Sequence, residues 1–190
     1  MEYREFKELI GQDLADIGQR HQSYSNDGIR FTHWVLENVF VLSDNDAKTN
    51  NYDGPKDGGL DGFFIDYNED LVRLIQCKYS DNIEREARES FITLPHKLRE
   101  PERIAETNPS IYECSTQFVE CIKSNFSVYM TFVFVGANQP RYSDELNDLS
   151  ETPRGKPRGI LAQLEFKLRR PLRDIPMMRN IPLNHITSHA

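Results

Sequence analysis

Asp57-Gly58-Gly59-Leu60-Asp61-Gly62, followed after a short turn by Leu74-Ile75-Gln76-Cys77-Lys78-Tyr79, decides how this chain is read. Residues 60 to 66 (LDGFFID) and 71 to 79 (LVRLIQCKY) are apolar and rich in β-formers, and Tyr67-Asn68-Glu69-Asp70 between them has turn composition. The pattern predicts a β-hairpin. With its turn centred on Asn68-Glu69, Gly62 falls opposite Ile75 and Asp61 opposite Gln76. Side chains alternate along a strand, so Gln76 and Lys78 share a face with Asp61, while Cys77 faces away. A carboxylate, an amide oxygen and an ammonium then converge, with glycines at 58, 59 and 62 clearing space around Asp61.

That arrangement resembles the core motif of the PD-(D/E)XK nuclease superfamily, in which an Asp ends one strand and an acid-x-Lys triplet lies on the next. Here Gln76 stands in the acid's place. The Asp61…Gln76-x-Lys78 variant is similar to the Mrr-type restriction endonucleases, and more closely to the N-terminal nuclease domains of the abortive-infection phage-resistance (AIPR) proteins. The resemblance spans about residues 28 to 138 and leaves both ends of the chain unexplained. It implies a restriction-endonuclease-like fold, DNA as substrate, Mg²⁺ or Mn²⁺ as cofactor, and a bacterial restriction or anti-phage setting. AIPR proteins are generally longer, which implies an N-terminal domain of a larger protein. RNA as substrate and a homodimeric assembly are both compatible with it.

The chemistry can be built without the family name. Phosphodiester hydrolysis requires charge neutralisation on the phosphate, a nucleophile made from water and a stabilised leaving oxygen, tasks that bound Mg²⁺ shares. Hard cations take oxygen ligands, so Asp61 offers a carboxylate and Gln76 a neutral carbonyl oxygen. Lys78 would orient or deprotonate the attacking water, or stabilise the phosphate in the transition state. With Gln for Glu one negative charge is missing, and metal binding should lean on a further acid. Glu37 is the candidate. It is the one acid in residues 28 to 42 (GIRFTHWVLENVFVL), whose apolar residues cover nearly every angle of a helical wheel and predict a helix buried on most sides. A carboxylate there is costly unless paired or metal-bound. The alternative is a wet stripe shared with His33. The catalytic set expected is therefore Asp61, Gln76, Lys78 and Glu37, with Asp61, Gln76 and Glu37 as metal ligands.

A net charge of −7 is awkward for a nucleic-acid binder, but the charge is uneven. From Arg154 onward there are eight basic residues (Arg154, Lys156, Arg158, Lys167, Arg169, Arg170, Arg173, Arg179) against Glu165 and Asp174. A basic segment of this kind can grip phosphate while metals screen an acidic centre. The nucleic-acid contacts expected are Arg154, Lys156, Arg158, Lys167, Arg169 and Arg170. No stretch of about 18 apolar residues and no signal peptide is present, so a cytoplasmic protein with no membrane partner is expected. Three cysteines, 77, 114 and 121, lack CxxC spacing, which argues for packed thiols over a disulfide framework or a zinc site.

The remaining pattern supplies scaffold. Phe6, Leu9, Ile10, Leu14 and Ile17 predict an amphipathic helix over 3 to 17. Residues 43 to 57 read as a polar loop, whose Asp44-x-Asp46 start fails as a calcium loop because Lys48 and Thr49 stand where a ligand and glycine belong. A helix capped by Ser80 or Asp81 and running to about Lys97, a helix over 111 to 125, and a central strand over 127 to 136 (SVYMTFVFVG) follow, then a linker at 153 to 159 and a short apolar-basic element near 160 to 170. The expectation is an α/β fold with a mixed central sheet flanked by helices, a nuclease core over 1 to 140 and a basic extension over 141 to 190. Two other readings remain: a catalytically degenerate nucleic-acid-binding member of the same fold, and a protein-interaction module.

Overall fold

The computed structural model describes residues 3–55, 57–80, 85–135, 161–167 and 186–187. The hairpin forms as its sequence predicts. Strand β1 (Gly62–Asp66) runs antiparallel to β2 (Leu71–Lys78), in the register Gly62↔Ile75 to Asp66↔Leu71. The turn is held by Asp66, whose Oδ1 accepts from the N–H of Asn68 at 2.9 Å and of Glu69 at 3.3 Å, and Asp70 closes it at φ +48°.

Strand β3 (Ser127–Val135) lies parallel to β2, and a parallel neighbour demands a crossover. The crossover consists of α4 (Arg85–Lys97), α5 (Pro101–Thr107), a 3₁₀ turn (Pro109–Ile111) and α6 (Tyr112–Lys123). Antiparallel β4 (Leu161–Lys167) and two-residue β5 (Ile186–Thr187) extend the sheet to the order β1-β2-β3-β4-β5. Both strands fall within the 141 to 190 segment, and they join the same sheet as β1 to β3. The result is a mixed α/β sheet with helices on both faces, and β3 is its middle strand.

Alternation along β2 and β3 divides the core in two. Val72, Leu74, Phe132 and Phe134 pack with Phe91, Leu94, Ile104, Phe118 and Ile122 on the crossover side. Ile75, Cys77, Val133 and Val135 pack on the other side with α1 (Tyr3–Arg20) and α2 (Asp27–Asn38), through Ile10, Leu14, Ile17, Phe31, Val35 and Leu36. β3 is therefore apolar on both faces, as its unbroken apolar run predicts. The three cysteines are buried free thiols. Among the described residues no helix is long and apolar enough to cross a membrane.

Three details differ from the sequence expectation. α2 begins where Asn26 Oδ1 accepts from Ile29 N at 3.1 Å, and it ends at Asn38, short of the apolar run's end. Val41 beyond it takes φ +57° and is 82% exposed. Residues 43 to 57 are not all loop: Ser43 caps α3 (Asp44–Thr49), its Oγ accepting from Asp46 N at 3.2 Å while donating to Asp46 Oδ2 at 2.6 Å. α5 lies in a stretch with no expected element, started by Pro101 at the position where proline costs no hydrogen bond.

Candidate metal and catalytic site

The loop before β1 is shaped by its own side chains. Asp57 Oδ1 accepts from Gly59 N at 2.7 Å and its Oδ2 from Gly54 N at 3.3 Å, so the carboxylate folds the 54–59 turn around itself. Gly58 and Gly59 take φ +69° and +92°, which glycine adopts without steric cost. At Gly59 space is also short: a Cβ would lie 2.5 Å from Ser90 Oγ on α4. Ser90 in turn donates to the Gly58 carbonyl at 3.0 Å, tying the loop to the crossover helix.

This loop delivers Asp61 to the edge of β2 in an unexpected way. The regular ladder stops at Gly62↔Ile75, and Asp61 is not a further rung. Its N–H donates to the Ile75 carbonyl at 3.0 Å, and its Oδ2 accepts from the Cys77 N–H at 2.7 Å. Asp61 thus brackets Gln76 along the strand, and its carboxylate supplies the acceptor that the Cys77 amide needs where the ladder has run out. On its other flank Asp61 O accepts from Tyr52 N at 2.8 Å, next to the bridge Asn51↔Gly62, which brings Asp53 alongside.

Asp53, Asp57 and Asp61 are the group that results, each with a carboxylate oxygen within 4.8 Å of the others. Asp61 is 3% exposed. Burial, and then the neighbouring charge of Asp53, push its carboxyl from an ordinary 3.8 up to about 8, against the opposing pull of the Cys77 amide and Lys78. Burial also raises Asp53, whose Oδ2 accepts from Thr32 Oγ1 of α2 at 3.0 Å. The raised carboxyls of Asp53 and Asp61 mark a place whose negative charge a cation would relieve.

Gln76 completes the picture. Its side chain is 2% exposed, and among the described residues its Oε1 has no hydrogen-bond partner. A buried carbonyl oxygen without a donor is costly, and a cation ligand is one way to satisfy it. It sits directly before Cys77, whose amide holds Asp61, while Lys78, directly after, is partly exposed and acts electrostatically on both Asp53 and Asp61. The donor set is all oxygen, which suits Mg²⁺ or Mn²⁺.

Of the residues expected from sequence, the structure brings Asp61, Gln76 and Lys78 together at one end of β1 and β2. Glu37 is not with them, and the assignment of Glu37 to this metal is corrected. Its Oε2 pairs with Arg20 Nη2 at 3.0 Å and lies 3.6 Å from His33 Nε2, on the side of α2 that faces α3 and the end of α1. The α2 residue that reaches the acidic group is Thr32, through Asp53. The acids that lie beside Asp61 are Asp53 and Asp57, and the spacing of aspartates at 53, 57 and 61 around the glycines was the available signal. Arg154, Lys156, Arg158, Arg169 and Arg170 lie outside the described residues, and Lys167 is the last residue of β4. In comparisons with known proteins, the chain matches no family model, no curated protein and no solved structure.

Proposed function

We propose that this protein is a metal-dependent nuclease that hydrolyses DNA phosphodiester bonds at the Asp61–Gln76–Lys78 edge of the hairpin. The observation that carries the reading is the carboxylate group of Asp53, Asp57 and the buried Asp61, bonded to the Cys77 amide between Gln76, whose buried Oε1 has no hydrogen-bond partner among the described residues, and Lys78. Asp61, Asp53 and the Gln76 carbonyl would hold Mg²⁺ or Mn²⁺, and Asp57 would chiefly shape the loop because both its oxygens already accept backbone N–H groups. A divalent cation supplies Lewis acidity toward a phosphate oxygen and lowers the cost of making hydroxide from water. Asp61 positions that charge rigidly, since the Cys77 amide fixes one oxygen and leaves the other for the cation. Lys78, partly exposed and acting electrostatically on Asp53 and Asp61, would orient the attacking water or stabilise charge on the phosphate.

The order helix, hairpin, crossover helices and parallel strand supports the resemblance to PD-(D/E)XK and AIPR-type nucleases, from which the restriction or anti-phage setting is taken. The test is cleavage of supercoiled plasmid with Mg²⁺ or Mn²⁺ by the parent and by Asp61→Asn. Metal-dependent nicking by the parent that is lost in the variant is the expected result. Binding of DNA by a well-folded parent that never cuts it would instead favour the degenerate, binding-only reading.

A further inference from the structure

We infer that a second, chemically different metal site lies on the far side of α2, formed by His21, His33 and Asp44, whose ligand atoms all lie within 4.8 Å of one another, and that it takes a transition metal such as Zn²⁺. The inference does not rest on the nuclease reading. His21, just past the end of α1, is 7% exposed, and His33 is fully buried. Their rings meet at 4.5 Å between centroids. Both point Nε2 at one oxygen: His21 Nε2 lies 2.8 Å and His33 Nε2 3.3 Å from Asp44 Oδ1. His33 and Glu37 are four residues apart on one helix face, and Glu37 Oε2 stands 3.6 Å from His33 Nε2.

These separations are those of a coordination shell. Two donors of a tetrahedral ion with bonds of about 2.0–2.1 Å are about 3.3 Å apart, and the observed 2.8 and 3.3 Å from the two imidazoles to Asp44 lie near that edge length. The outer shell is also in place, because Tyr24 OH lies 3.0 Å from His33 Nδ1, the ring nitrogen that a metal-bound histidine leaves for a partner. Two imidazoles with one carboxylate select zinc-like ions over Mg²⁺, in contrast to the all-oxygen group around Asp61. The three protein donors come from the end of α1, from α2 and from the start of α3, so a bound ion would clamp these elements together.

Without metal the two carboxylates need another counter-ion. Arg20 provides it, bonding both Asp44 and Glu37 from a side chain that is 45% exposed. The guanidinium therefore competes with a cation for the same oxygens. This separates a metal site from a plain hydrogen-bonded cluster, for which Arg20 would be a supporting member.

The experiment uses full-length Asp61→Asn protein, so that the all-oxygen group is impaired, stripped of metal and titrated with Zn²⁺ against a chromophoric chelator. One Zn²⁺ per chain is expected, with affinity reduced at least about tenfold in His21→Gln and in His33→Gln and increased in Arg20→Gln. Circular dichroism checks that the variants fold. Should a histidine variant unfold, Co²⁺ added to the histidine-intact protein decides: an intense tetrahedral visible spectrum is expected, and a weak octahedral one overturns the proposal. Failure to bind Zn²⁺ above background, undiminished affinity in both histidine variants, or weaker binding in Arg20→Gln would each also overturn it.

Discussion

Replacing Asp61 by Asn should make the metal-free protein more stable at alkaline pH while destroying its metal response. The amide keeps an oxygen for the Cys77 N–H and turns an NH₂ toward Asp53 and Asp57, where the carboxylate met like charge. In the parent the Asp61 carboxyl is raised from 3.8 to about 8, so between those values the native state holds a proton that the unfolded chain has released. Stability from this group is full below about pH 4 and is lost as the pH rises to about 8. At about 1.4 kcal/mol per unit, the ceiling on that loss is on the order of 5 kcal/mol, a large share of a domain's whole stability. Relaxation and the counter-charge of Lys78 lower the figure, and a difference of about 2 kcal/mol or more in favour of Asp61→Asn is expected at pH 9, against little at pH 4. Urea unfolding in chelator at pH 4, 7 and 9 measures it. Repeating the series with Mg²⁺ should stabilise the parent and leave the variant unmoved. Parallel pH profiles for the two proteins in chelator would refute the electrostatic account of the carboxylate group.

Lys78→Met keeps the stem and removes the ammonium, so single-turnover cleavage should fall by on the order of 10² or more while Mn²⁺ affinity is kept or raised. Near-parental turnover would take Lys78 out of the mechanism. Gln76→Glu adds a charge where an oxygen lacks a partner and should tighten Mn²⁺ binding in calorimetry; an unchanged Kd would mean that the Gln76 oxygen is not a ligand. Gly59→Ala forces a Cβ to 2.5 Å from Ser90 Oγ at φ +92°, and thermal unfolding should show a loss of about 1–3 kcal/mol, with metal affinity falling too because the loop positions Asp61.

The hairpin, its register and the middle strand were legible because they rest on local signals: alternation, a four-residue turn, and an apolar run buried on both faces. Asp61, Gln76 and Lys78 could be grouped from that register alone. The final detail could not, since Asp61 leaves the ladder to satisfy the Cys77 amide, a response to where pairing ends. Glu37 was misdirected for a related reason. When apolar residues surround a helical wheel, the wheel does not say which flank meets the sheet edge, and α2 turns Thr32 to Asp53 and His33 with Glu37 to Asp44. Asp53 reaches the group through the Asn51↔Gly62 bridge, a pairing with no periodic signature. α3 and α5 are too short for periodicity and were announced only by Ser43 with Asp46, and by Pro101.

The central claim is that Asp53, Asp61 and the Gln76 carbonyl form a cation site beside Lys78. Anomalous diffraction from crystals soaked in Mn²⁺ tests it most directly. A peak about 2.2 Å from Asp61 and from Gln76 Oε1, absent in Asp61→Asn crystals, is the result this account predicts. Full Mn²⁺ exposure with no density between those oxygens would contradict it.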